Sequence, residues 1–162
     1  MMKEGRAIGT GDAPSADNRV RGLRANCFAA VVILLVEYGL GIWVNLYGHL
    51  PASDHGANVA SGFAHAVANG PVGLSIHAVL GIVLVVSAAT AVVRAILVGR
   101  PVLIGSAVTG LVAVVVAGLS GASFVGDGGN AASMSMAITA GVAIFAYTLV
   151  LFISASAREP LR

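Results

Sequence analysis

The sequence predicts an all-α integral membrane protein, an antiparallel four-helix bundle with both termini on the cytoplasmic side. Three observations carry that expectation. The 162-residue chain is 57% hydrophobic and 10% charged, which leaves too little polar surface for a water-exposed domain. Four apolar segments, about 26–47, 74–97, 102–125 and 131–154, are each long enough at about 1.5 Å per residue to cross a hydrocarbon layer of roughly 30 Å. All nine Lys and Arg residues fall on one side of this pattern, and all four His fall on the other. Cationic loops resist translocation, so the basic side is expected to face the cytoplasm. Helices rather than strands are expected because an open sheet would leave backbone groups unpaired in lipid.

The elements follow in order. Residues 1–22 mix Gly, Asp, Ser, Pro and Arg without periodicity and predict a disordered cytoplasmic tail, followed by one membrane domain over 23–156. The first apolar segment is too long for a secretory signal and carries Glu37, and the small residues Ala64-His65-Ala66 lie well beyond its end, so a retained helix is expected. Trp43 and Tyr47 suit the outer aromatic belt. Cys27, at the inner end, has no second cysteine to pair with and reads as a small apolar residue. The long connection 48–73 holds Pro51, Asp54, Pro71 and three histidines, and long loops more often carry function than short ones. Arg94 lies near the inner end of the second segment, where its side chain can snorkel to headgroups.

Gly99-Arg100-Pro101 predicts a tight inner turn, and Gly126–Asn130 a short outer one. The third segment repeats small residues at every fourth position, Gly105, Thr109, Ala113, Ala117 and Gly121, with Ser106, Gly110 and Gly118 beside them. Such a row lets backbones approach closely in lipid. It predicts packing inside the bundle, or alternatively a homo-oligomer seam through Gly105, Ala113 and Gly121. After the fourth segment, 157–162 is a cytoplasmic C-terminal tail.

This layout suits the plasma membrane of a bacterial-type cell, as a multi-pass protein with loops 48–73 and 126–130 extracytoplasmic and the lipid bilayer as its surroundings. The net charge of +2 is spread over three cytoplasmic segments rather than gathered on a face with aromatics, so nucleic acid is not an expected partner. The chain has no G-x-x-x-x-G-K-[ST], G-x-S-x-G, H-E-x-x-H or C-x-x-C, which removes the usual parts for nucleotide hydrolysis, serine hydrolysis, zinc proteolysis and thiol redox chemistry. No catalytic residue is assigned.

Glu37 is the one acidic side chain deep within an apolar segment. A charge at a helix centre costs about 2.5–3.5 kcal/mol on insertion scales, so the carboxyl is expected to be neutral or paired, and is a proton-handling candidate. Gly41 and Asn45 follow at four-residue steps and Tyr38 lies close in angle, drawing a polar stripe. The plain alternative is a protonated Glu37 hydrogen-bonded within the bundle, with Thr139 at a comparable depth. His77 is about one turn inside the second segment, roughly 6 Å deep, with Asn45, Ser120 and Met136 at similar depths. It would serve as a helix-helix contact, a haem or metal ligand, a proton carrier or a partner for a quinone head. His49, His55 and His65, with Asp54, match no short metal-ligand spacing and read as a solvated loop, so no metal site is assigned. Met134 and Met136, two apart on a helix, point in different directions and read as packing residues.

The pattern Glu37-x3-Gly41-x2-Val44, an outer loop with Pro51, then His77 near the outer start of the next helix and Arg94 at its inner end, resembles one four-helix half of the haem A synthase family. In that family outer-end histidines on the second and fourth helices of each half ligate haem, which implies haem ligation at His77. The fourth segment offers Met134 and Met136 where the family has a second His, and the loop lacks the cysteine pair of many members. The chain is also similar in size and layout to small bacterial four-helix membrane proteins. Three functions are therefore expected from sequence: a non-enzymatic or accessory membrane component with a polar core of Glu37, Asn45 and His77; a redox protein binding haem b or quinone through His77, with Met136 or a loop His completing the site; or a small proton-coupled carrier using Glu37.

Overall fold

Apolar segments that leave water must satisfy their backbone groups internally, and each does so as a helix. The computed structural model describes residues 15–47, 59–127 and 129–156. These form α1 (Ala16–Tyr47), α2 (Val59–Asn69), α3 (Val72–Val98), α4 (Pro101–Asp127) and α5 (Asn130–Ser156). Four of them, α1, α3, α4 and α5, are long and apolar enough to cross a membrane. No strand occurs among the described residues.

α1 begins at Ala16, ten residues before the first apolar segment, so the expected N-terminal tail is helical over 16–22. The causes are local and tertiary rather than hydropathic. Ser15 Oγ accepts the backbone N–H of Asn18 at 3.4 Å, a capping contact, and Asp17 pairs with Arg21 one turn on at 3.5 Å. Leu23 and Cys27 are completely buried, so the helix is already packed where the charged residues are still frequent. The remaining tail residues, 1–14 and 157–162, lie outside the described residues, as do 48–58. Part of the predicted long loop is also helical. α2 is an 11-residue segment packed on α3 and α4.

Between α3 and α4 the chain reverses at Gly99, whose φ of 76° is the left-handed conformation that ends helices, with its N–H bonded to Ala95 O at 3.1 Å. Pro101 then opens α4, where a missing N–H has no cost.

α1 packs on α3 and α5, and α4 on the same two helices, closing a ring of four. Successive contacts of α1 fall on progressively earlier residues of α3. Arg19 Nη1 donates to Leu97 O, Gly22 lies against the Arg94 guanidinium, and Asn26 Nδ2 donates to Ser87 O at 2.9 Å. Farther along, Glu37 meets His77 and Trp43 lies on Gly73. The Arg94 contact places that side chain along α1, at the end of the bundle where Arg19, Arg21, Arg24 and Arg100 also gather.

The large apolar side chains face outward. Phe28, Leu119, Phe145 and Phe152 are more than half exposed, while Ala30, Ala88, Ala91, Ala95, Ala107 and Ala143 are completely buried. Big residues outside and small ones inside is the arrangement of helices that touch lipid, where close backbone approach replaces hydrophobic burial as the source of packing. α4 shows how its small residues are used. Gly110 receives the Tyr147 ring and Gly121 the Met136 sulfur, both from α5, and Ala113 is buried. Of the expected oligomer seam, Ala113 and Gly121 are thus taken up inside the bundle, and only Gly105 faces open space.

The two halves of the bundle differ. Toward the basic end, Leu23, Cys27, Ala30 and Leu34 pack with alanines of α3, Leu103 and Ala107 of α4, and Tyr147 and Val150 of α5 into one continuous core. Toward the opposite end the buried residues thin to a small cluster of Val44, Leu74 and Ala78, joined by Val67 of α2. The space this leaves is the cavity described next.

Candidate functional site: a cavity walled by Glu37 and His77

α1, α3, α4 and α5 enclose a cavity of about 690 Å³ in the half of the bundle away from the basic end, with Ala60 and Phe63 of α2 contributing to its wall. Its deepest lining residues, Leu34, Leu84 and Val114, belong to the packed core as well, so that core is its floor. The wall is almost entirely apolar. Glu37 and His77 are its ionisable exceptions, with the Tyr38 ring and Ser133 also in the lining, and no Lys or Arg lines it.

Glu37 Oε2 and His77 Nδ1 are 2.5 Å apart. They touch at ion-pair distance without hydrogen-bond alignment, since Nδ1 has no partner that satisfies the angular criteria of a hydrogen bond. Pairing an acidic side chain with an imidazole is how ionisable groups become tolerable at membrane depth. Glu37 Oε1 is buried with no protein partner, an arrangement that costs about 1–3 kcal/mol unless a further donor reaches it.

The pair results from helix geometry. Glu37 is flanked along one face by Leu34 and Gly41, both buried, so this face of α1 points inward. His77 is five residues into α3 and pairs with a residue ten before the end of α1. Gly41 makes room beside them. A Cβ at Gly41 would lie 3.6 Å from Met136 Cε and 3.7 Å from His77 Cε1, so these two side chains approach the same point from α5 and α3.

The expected site residues are therefore brought together in part. Glu37, His77 and Met136 share the cavity wall. The backbone of Asn45 is in α1, and its side chain lies outside the described residues, as do the side chain of His65 and all of His49, Asp54 and His55. Thr139 is not the partner of Glu37, because its hydroxyl donates to Ser135 O at 2.7 Å on its own helix. Ser120 bonds Ser135 at 2.9 Å and ties α4 to α5. Met134 is 65% exposed on the outer surface, opposite in role to Met136. Among the described residues no three His, Cys, Asp or Glu side chains gather as a metal site.

The sequence placed Glu37, Asn45 and His77 in one polar core but did not pair Glu37 with His77. The signal for pairing was present in their chemistry, since they are the acid and the imidazole placed within apolar segments, and intramembrane ionisable residues tend to pair with one another. Depth counting separated them because it set the facing ends of the two helices level, whereas Glu37, ten residues before the end of α1, meets His77, five residues into α3. Comparison with family models, with curated proteins and with solved structures gives no match to this chain.

Proposed function

We propose that this chain is a non-enzymatic, multi-pass component of a bacterial-type plasma membrane that holds a lipophilic small molecule in its cavity, with Glu37 and His77 recognising the molecule's polar group. The observation that carries this reading is a nine-tenths buried carboxyl, paired through one oxygen and unpartnered at the other, in the wall of an otherwise apolar cavity. Ligand sites have this composition, a mostly apolar surface with few placed polar groups. The distribution of Lys and Arg supports an antiparallel bundle with both termini inside, so the cavity belongs to the outer half and the packed core separates it from the cytoplasm. The descending order of α1 contacts along α3 supports the same arrangement.

The test is extraction. Protein purified in a mild detergent should release a small molecule into organic solvent at about one per chain, and His77→Ala should release much less. A wild-type protein that carries nothing, and takes up nothing when incubated with total membrane lipid extract, would overturn the reading.

A second reading, in which the cavity holds haem b instead of a lipid, rests on one observation. Glu37 engages the Nδ1 side of His77, a contact that orients a ligating imidazole, and Met136 Cε and His77 Cε1 approach the same point beside Gly41. His77 and Met136 would hold the haem, which would supply one-electron chemistry. A Soret band that shifts on reduction and is lost in His77→Ala is expected on this version. A colourless protein that also fails to take up added haem would remove it and leave the wider reading in place.

A further inference from the structure

The cavity is not sealed from the side. Ile82 and Val86 of α3 and Val115 and Leu119 of α4 line it and are also exposed on the bundle surface. These residues lie in the middle stretches of their helices, so the gap opens to lipid rather than at a helix end. Two glycines, one on each helix, border it. Gly81 precedes Gly99 by eighteen residues and Gly118 follows Arg100 by eighteen, so both stand at one level when counted from the turn. Both line the cavity, and an added Cβ at either would meet nothing within 4 Å. The α3 and α4 backbones therefore leave an open slot beside the cavity. By contrast, Gly110 and Gly121 on the same helix lie against α5 side chains.

Resting on the proposed ligand-binding role, we infer that the occupant is a neutral-headed lipid of the quinone type, with its carbonyl- or hydroxyl-bearing ring at Glu37 and His77 and its apolar tail leaving through the α3–α4 slot. The head must lack a phosphate, because no Lys or Arg in the wall would balance one. It must carry a hydrogen-bonding oxygen, because the unpartnered Glu37 oxygen and the imidazole beside it are the polar groups that face the cavity. The tail is required by the slot itself, an apolar passage at membrane depth between Ile82, Val86, Val115 and Leu119. A head-only molecule would have no use for it. The ligand then enters sideways from the outer leaflet.

Trp43 is the single tryptophan and sits between two cavity-lining residues, Ile42 and Val44, so its fluorescence reports occupancy by a quenching ring. The experiment uses the full chain in phospholipid nanodiscs, with an alkyl-tailed benzoquinone and the same ring without the tail as probes. Gly118→Cys is coupled after folding to a bulky maleimide, which native Cys27 escapes because it is completely buried. Gly105→Cys, on the same helix but outside the cavity wall, is the labelled control. Saturable quenching by both probes is expected in wild type and in the labelled control. Labelling at position 118 should weaken the tailed probe roughly tenfold, as expected for about two methylenes losing their burial, and leave the tailless ring unchanged. Equal weakening of both probes, or no change in either, overturns the slot while leaving the cavity reading intact. Quenching that is unsaturable for both probes in wild type and unaffected by Glu37→Gln overturns the inference together with the role on which it rests.

Discussion

Glu37 on α1 and His77 on α3 meet at 2.5 Å, oxygen to Nδ1, where the packed half of the bundle gives way to the open half. The contact joins two helices that also meet through Arg19 with Leu97, Gly22 with Arg94, Asn26 with Ser87 and Trp43 with Gly73. Each residue makes the other tolerable in an apolar setting, so neither is independent in energy.

A double-mutant cycle tests that dependence. Glu37→Gln and His77→Asn are each expected to destabilise, and their coupling should be about 0.5–3 kcal/mol, the range found for contacting residues. Unfolding in micelles by heat or by a denaturing detergent measures it. Strict additivity would mean the two groups do not interact. Glu37→Lys, which puts a second basic group against the imidazole at a depth from which it cannot snorkel, should give no folded protein, and a wild-type yield would show that the position is open to water.

Gly41 separates His77 from Met136, and the two sit at ordinary contact distance from a methyl placed there. Gly41→Ala is expected to fold normally. Gly41→Leu must push both side chains aside, at about 1–3 kcal/mol for overpacking, and should abolish release of the bound molecule on solvent extraction. Retention of the ligand in Gly41→Leu would place it elsewhere in the cavity.

In the packed half, the Tyr147 ring fills the notch at Gly110, and its buried hydroxyl has no partner. Gly110→Ala should therefore destabilise by about 1–3 kcal/mol, because a Cβ would overlap a ring held on all sides. Tyr147→Phe should be neutral or stabilising by up to about 1 kcal/mol, since the hydroxyl gains nothing from burial. Melting temperatures of the two variants decide it, and a large loss in Tyr147→Phe would mean that the hydroxyl is bonded in the membrane.

Topology is accessible to thiol labelling. With Cys27 completely buried and silent, Ala131→Cys at the start of α5 should react with an impermeant reagent added outside intact cells. Ser156→Cys at the other end of the same helix should react only after lysis. The reverse pattern would invert the bundle, and with it the leaflet to which the cavity opens.

Four spans, the turn at Gly99 and the grouping of Arg residues at one end were determined by the sequence itself, because each rests on local physics: apolar length, a residue that tolerates positive φ, and the cost of a charge in hydrocarbon. The early start of α1 and the helix α2 escaped it for the same reason. α1 is started by the Ser15 cap and buried packing, and α2 by packing on α3 and α4, none of which hydropathy registers. Glu37 and His77 could each be singled out by type and depth, yet their pairing belongs to the tertiary structure, since it joins residues forty positions apart through the relative shift of two helices. The same holds for the small residues of α4. By sequence, Gly121 belongs to one row of small residues and Gly110 and Gly118 to the row beside it, but α5 fills Gly110 and Gly121 while Gly118 is left open beside the cavity. What a glycine row is for depends on which neighbour arrives, and only the packed bundle decides that.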